Sequence, residues 1–100
     1  CQDALRRGYR PAAPLVLFLG ADDDWTAPGP CEALGRQVGA EVRVYPGAFH
    51  AFDAPGEGVR LRRDVPGGVR PGSGVHAGPE PAAREDARRR VLERLGALGR

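Results

Sequence analysis

The chain has no lysine and no methionine, only two cysteines, and aromatic residues at just 6% of its 100 positions. A missing methionine, with Cys as the first residue, is what a piece of a longer or processed polypeptide is expected to show. With lysine absent, all 15 basic residues are Arg; alongside abundant Gly, Ala and Pro, this is the mark of GC-rich coding bias rather than of selection for guanidinium chemistry. Net charge is +2, too small for a nucleic-acid or polyanion surface, so no nucleic-acid partner is expected. No apolar run approaches the ~20 residues that a membrane span needs, so no membrane partner is expected either. Two cysteines are too few to build a disulfide scaffold. They leave two readings: a Cys1–Cys31 bridge, or Cys31 as a small buried apolar group.

What is present is an α/β pattern. "PLVLFLG" is a continuous apolar run closed by Gly20, and its core, residues 14–19, predicts a strand covered on both faces. The loop "ADDDWTAPGP" carries helix-start signals, with Thr26 as candidate N-cap and Pro28 or Pro30 suited to a first turn. Cys31, Leu34 and Val38 then recur on one stripe, predicting a helix over 28–38 that Gly39 stops. "EVRVY" alternates and predicts a second strand over 41–45. A helix between two strands is a parallel βαβ unit.

Residues 46–80 read as one long loop, with a brief strand at 58–63. Residues 81–98 predict a helix whose apolar face is Ala83, Ala87, Val91, Leu95 and Leu98, with Glu85–Arg89 and Asp86–Arg90 pairs on the opposite face. Residues 1–13 show no clear period.

Reactive groups of open α/β sheets collect on loops beyond the carboxyl ends of the strands. Two such loops here carry residues of catalytic type: the Asp22–Asp23–Asp24 run and His50. Adjacent parallel strands bring the loops side by side, so a carboxylate can orient an imidazole that acts as general base. A triad acid followed by its His, with any nucleophile upstream, is the chain order of α/β-hydrolases.

"PLVLFLGADDDWTAPGPCEAL" followed by "VYPGAFHAFDAPG" resembles the C-terminal part of the dienelactone hydrolase family, within the α/β-hydrolase superfamily. The likeness extends over the "RRDVPGGVRPGSGVHAG" loop and the last helix. The family's Gly-x-x-Asp motif is Gly20-Ala21-Asp22-Asp23 here, which implies Asp23 as the triad acid. Its Gly-x-aromatic-His-x-Phe motif is Gly47-Ala48-Phe49-His50-Ala51-Phe52, which implies His50 as the base.

The family's nucleophile, a Cys or Ser in a Gly-x-Cys/Ser-x-Gly elbow, has no counterpart. Ser73 lies after His50 on a Pro/Gly loop, and neither Cys1 nor Cys31 sits in an elbow. The resemblance therefore implies that the nucleophile and the first strands precede Cys1. Two parallel strands with unpaired edges and an apolar helix face with little to cover it predict that residues 1–100 alone are inert and poorly folded. Asp22 and Asp24 are expected to face water or the following helix. Trp25 and Phe49 are candidate pocket walls, with packing as their alternative role. His76 lacks a partner in sequence, and Arg60, Arg62, Arg63 and Arg70 read as a solvated loop.

The implied activity is hydrolysis of a small-molecule ester or lactone, with no metal or organic cofactor. A thioesterase or peptidase on the same fold would keep the same acid and base, and a non-catalytic binding module would make them incidental. A Cys1–Cys31 bridge implies an oxidising compartment, and the resemblance leans the same way, toward periplasmic or secreted rather than cytoplasmic members.

Overall fold

A computed structural model describes residues 1–98. The chain is a small mixed α/β domain with the order α1 (Gln2–Arg6), β1 (Val16–Gly20), α2 (Gly29–Val38), β2 (Glu41–Tyr45), β3 (Arg60–Arg62), β4 (Val75–Ala77) and α3 (Pro81–Leu98). Strands β1 and β2 pair in parallel, from Val16 opposite Glu41 to Gly20 opposite Tyr45. Strands β3 and β4 form a separate antiparallel pair, with Arg60 opposite Ala77 and Arg62 opposite Val75.

The βαβ reading holds, with shifted ends. Strand β1 begins at Val16 rather than at residue 14, because Pro14 has no N–H to place in a ladder. It continues through Gly20, where the Ala21 N–H donates to the Tyr45 carbonyl at 3.0 Å. Helix α2 starts one residue later than expected, after Pro28. Thr26 is not its cap: the helix has no side-chain cap, and the Thr26 hydroxyl turns instead to Asp23. Gly39 ends the helix at φ 71°, a left-handed turn that glycine adopts without steric cost.

Helix α2 lies on one face of the parallel pair, with Leu34 buried beneath it. On the other face Phe18 and Tyr45 pack against a cluster of Ala48, Phe52, Ala83 and Ala87, the last two from α3. Covering by helices still leaves Val16–Leu19 only half-buried, because the sheet is two strands wide. Of the apolar face expected on α3, Ala83 and Ala87 are buried, whereas Val91, Leu95 and Leu98 are exposed.

A polar clasp registers α3 on β2. The Tyr45 hydroxyl donates to Asp86 Oδ2 at 2.7 Å, and Arg90 Nε donates to the same oxygen at 2.8 Å. Hydrogen bonds from Arg90, Tyr45 and Arg89 outweigh the desolvation that opposes them, holding the Asp86 carboxyl well below the usual carboxylate range. Desolvation first, and the Asp86 charge after it, push the Tyr45 phenol up. The expected Glu85–Arg89 pair does not form: Arg89 bonds Asp86 and Glu93, which already flank it one turn to either side.

Two elements escape a reading by period. Residues 46–80 are not one loop, since β3 falls within the strand expected at 58–63 and pairs with β4. Strand β4 is three residues between Gly74 and Gly78, too short to show any alternation. Helix α1 is five residues long, below the length at which a helix persists alone. A Cys1–Cys31 disulfide fastens its start to the first turn of α2, so the bridged reading of the cysteines is the one the fold contains.

Candidate active site

Gly20 closes β1 where the chain passes against the loop after β2. A Cβ at this position would lie 2.6 Å from the Ala48 carbonyl oxygen and 2.9 Å from that of Phe49. Only glycine permits this approach, and the Asp22 N–H completes it by donating to the Ala48 carbonyl at 3.0 Å. The two loops that carry the candidate acid and base are thereby held edge to edge.

Asp23 spans that junction and divides its oxygens between two tasks. Its Oδ1 accepts from the backbone N–H groups of Trp25 at 2.9 Å and Thr26 at 2.8 Å, the local turn that an Asp side chain stabilises. Its Oδ2 meets His50 Nδ1 at 3.2 Å and accepts from the Thr26 hydroxyl at 3.1 Å. An ionised carboxylate only accepts, so this contact calls for a proton on Nδ1, the tautomer that in a neutral imidazole leaves the Nε2 lone pair free. Among the described residues no hydrogen bond engages His50 Nε2, and the His50 side chain is 34% exposed. Thr26 Oγ1 also lies 3.3 Å from Nδ1, capping the contact.

The Trp25 ring packs on the imidazole, with centroids 4.5 Å apart, and the Arg62 guanidinium sits 5.7 Å from the centre of the indole. Trp25 thus covers one side of the His50 imidazole, while Phe49 packs on His76 at 4.9 Å. Ala51, immediately after His50, holds φ 58°. A non-glycine residue in this left-handed region costs about 1–2 kcal/mol, so the surrounding contacts must enforce it.

A second acid–imidazole pair adjoins the first. Asp24 Oδ1 accepts from the His76 backbone N–H at 2.8 Å, and Asp24 Oδ2 meets His76 Nδ1 at 2.6 Å. The expectation of a solvated or helix-facing Asp24 and an unpartnered His76 is therefore wrong. Burial pushes the Asp24 carboxyl up, but the His76 side-chain and backbone hydrogen bonds together outweigh it and leave the group below its ordinary value. Asp22 is exposed, as expected.

A cleft of about 600 Å3 is lined by Asp23, Asp24, Leu61, Arg70, Ser73 and His76. His50 and the expected pocket walls Trp25 and Phe49 do not line it, and Trp25 borders a separate pocket with Cys1 and Cys31. Arg62 pairs with Asp64 at 2.7 Å rather than standing free, whereas Arg70 faces the cleft. Ser73, on the turn between β3 and β4, is exposed and makes no hydrogen bond to either histidine. Both thiols are consumed by the disulfide, so the described residues hold no free cysteine nucleophile.

Asp23, His50 and Trp25 are brought together as their loop positions suggest. Thr26 and the Asp24–His76 pair are the polar groups that a linear reading misses. Thr26 had a local signal, three residues after Asp23, although it reads equally as a helix cap. Asp24 and His76 are 52 residues apart, and no spacing rule joins them.

The fold and site define a mixed α/β domain with a hydrogen-bonded Asp23–His50 pair at the carboxyl end of a parallel strand pair. No protein-family model, no curated protein and no solved structure matches the chain. No helix among the described residues is long and apolar enough to cross a membrane.

Proposed function

We propose that these residues are the acid and base of a nucleophile–His–Asp hydrolase of α/β-hydrolase architecture, similar to the dienelactone hydrolases and acting on a small ester or lactone. The observation that carries this reading is the Asp23 Oδ2–His50 Nδ1 contact at 3.2 Å, made across 27 residues between loops at the ends of adjacent parallel strands. His50 Nε2 takes the proton of a Ser or Cys nucleophile as it attacks the acyl carbon, then returns it to the departing alkoxide. The same lone pair next takes a proton from the water that cleaves the acyl-enzyme. Asp23 keeps Nδ1 protonated, holds the ring and balances the imidazolium charge.

On this reading the nucleophile comes from residues other than these 100, and backbone N–H groups beside it stabilise the oxyanion. The cleft that Asp23 lines, apolar at Leu61 and Val69, is of small-molecule size; His50 lies outside its lining. The disulfide suits an oxidising compartment, so a periplasmic or secreted location is part of the proposal.

The test is turnover of p-nitrophenyl acetate and of a simple lactone by the whole polypeptide that carries these residues. Asp23→Asn and His50→Ala are each expected to lower kcat/KM by about 10^3–10^4-fold, with the thermal midpoint nearly unchanged. Near-normal turnover in either variant overturns the assignment of that residue.

A further inference from the structure

We infer that Asp24 and His76 form a positioning clasp for His50, Asp23 orienting its ring and Asp24, through β4, holding its backbone. The hydrogen bonds of the Asp24 carboxylate to His76 fix the middle residue of β4 against the loop that carries the acid. The backbone of Asp24 reinforces the tie, its carbonyl accepting from the Val69 N–H at 2.8 Å.

From β4 the restraint passes to His50 by two routes. Ala77 bridges His50 in parallel, and the Gly78 N–H donates to the His50 carbonyl at 2.9 Å. The His76 ring lies on Phe49, the residue immediately before His50. The residue immediately after it, Ala51, is held in a left-handed conformation that only surrounding contacts maintain. His50 therefore sits between a packed aromatic and a strained alanine, with its own carbonyl tied to β4. Releasing β4 leaves Ala51 free to relax and lets the imidazole drift from Asp23.

The inference rests on the dyad reading for its catalytic consequence, but its structural core is testable without turnover. In the whole polypeptide, the 15N shifts of the His50 ring report which nitrogen carries the proton, and amide exchange at Gly78 reports its bond to His50. Asp24→Asn and His76→Ala are expected to lose the single-tautomer pattern of His50 and to speed Gly78 exchange by about tenfold or more. His76→Asn, which keeps a side-chain N–H near the place of Nδ1, is expected to restore both. With ester substrate, Asp24→Asn is expected to lower kcat about tenfold with KM within about twofold, since misplacement affects the transition state rather than binding.

A His50 ring unchanged in folded Asp24→Asn overturns the inference. Loss of folding by all three variants also overturns it, in favour of a purely structural clasp. Asp23→Asn separates the two readings. If it leaves turnover intact, the hydrolase assignment fails, while the ring shifts and Gly78 exchange still decide the clasp.

Discussion

Asp23 and Asp24 are neighbours in the chain, and each meets a histidine brought from another loop, yet the two acids are used differently. Asp23 gives one oxygen to its own turn and the other to His50, a ring whose second nitrogen is uncommitted. Asp24 gives both oxygens to one residue, the backbone N–H and ring of His76, as an anchor does. The shorter contact, at 2.6 Å against 3.2 Å, belongs to the anchor. On the proposed reading, the tighter acid–imidazole pair is not the one that does chemistry. Among the described residues, both rings keep Nε2 free of hydrogen bonds and both acids have each oxygen engaged. What separates the pairs is that Asp23 divides its oxygens between its own turn and His50 while Asp24 gives both to His76.

The largest expected difference between the pairs is kinetic. Asp23→Asn should cost about 10^3–10^4-fold in turnover and little stability, whereas Asp24→Asn should cost about tenfold. Equal losses in the two variants would erase the distinction between ring-holding and backbone-holding acids.

Next is the disulfide, which lies on the Asp23 side: Cys1 and Cys31 share a cleft wall with Trp25 and Thr26. Its removal by Cys1→Ser with Cys31→Ser should cost about 3–4 kcal/mol for a loop of this length, read by denaturant unfolding. The His50–Asp23 contact should loosen before the His76–Asp24 contact, a difference that imidazole 15N shifts can follow. Gly20→Ala acts on the same side by driving a Cβ into the Ala48 carbonyl, and about 1–3 kcal/mol of destabilisation is expected from thermal melts.

Acid should affect the anchor as well. Asp24 and Asp86 are both held below their ordinary value of 3.8, so between that value and the folded one the unfolded chain binds more protons. Their contribution to stability is complete above 3.8 and fades as the pH falls below it through the folded values. Asp24→Asn and Asp86→Asn should each flatten the acid limb of a stability–pH curve, and an unaltered limb would refute the corresponding clasp.

The smallest effect is at Thr26→Val, which removes one donor from Asp23 Oδ2. About 1 kcal/mol, or somewhat under a tenfold loss of rate, is expected in steady-state assays.

Much of the scaffold was legible from local pattern. The apolar run of β1, the stripe of Cys31, Leu34 and Val38 in α2, the alternation of β2 and the long periodic segment of α3 each reveal an element of the right type. The Asp run was legible as the partner of His50 for a related reason: loops leaving adjacent parallel strands lie side by side, and the Gly-x-x-Asp resemblance singled out Asp23 within it. Asp24, by contrast, carries no mark that separates it from a solvated turn acid, and His76 sits in a three-residue strand with no readable period. Helix α1 is legible only once its tie to α2 is known.

The chain's own residues therefore determined the βαβ unit, the long final helix and the meeting of the Asp run with His50, because periodicity and loop placement are local properties. Tertiary structure alone decided that Cys1 reaches Cys31 and that Asp24 grips His76. Those outcomes depend on which distant groups happen to satisfy one another's hydrogen bonds once the backbone has packed, and no local spacing encodes that.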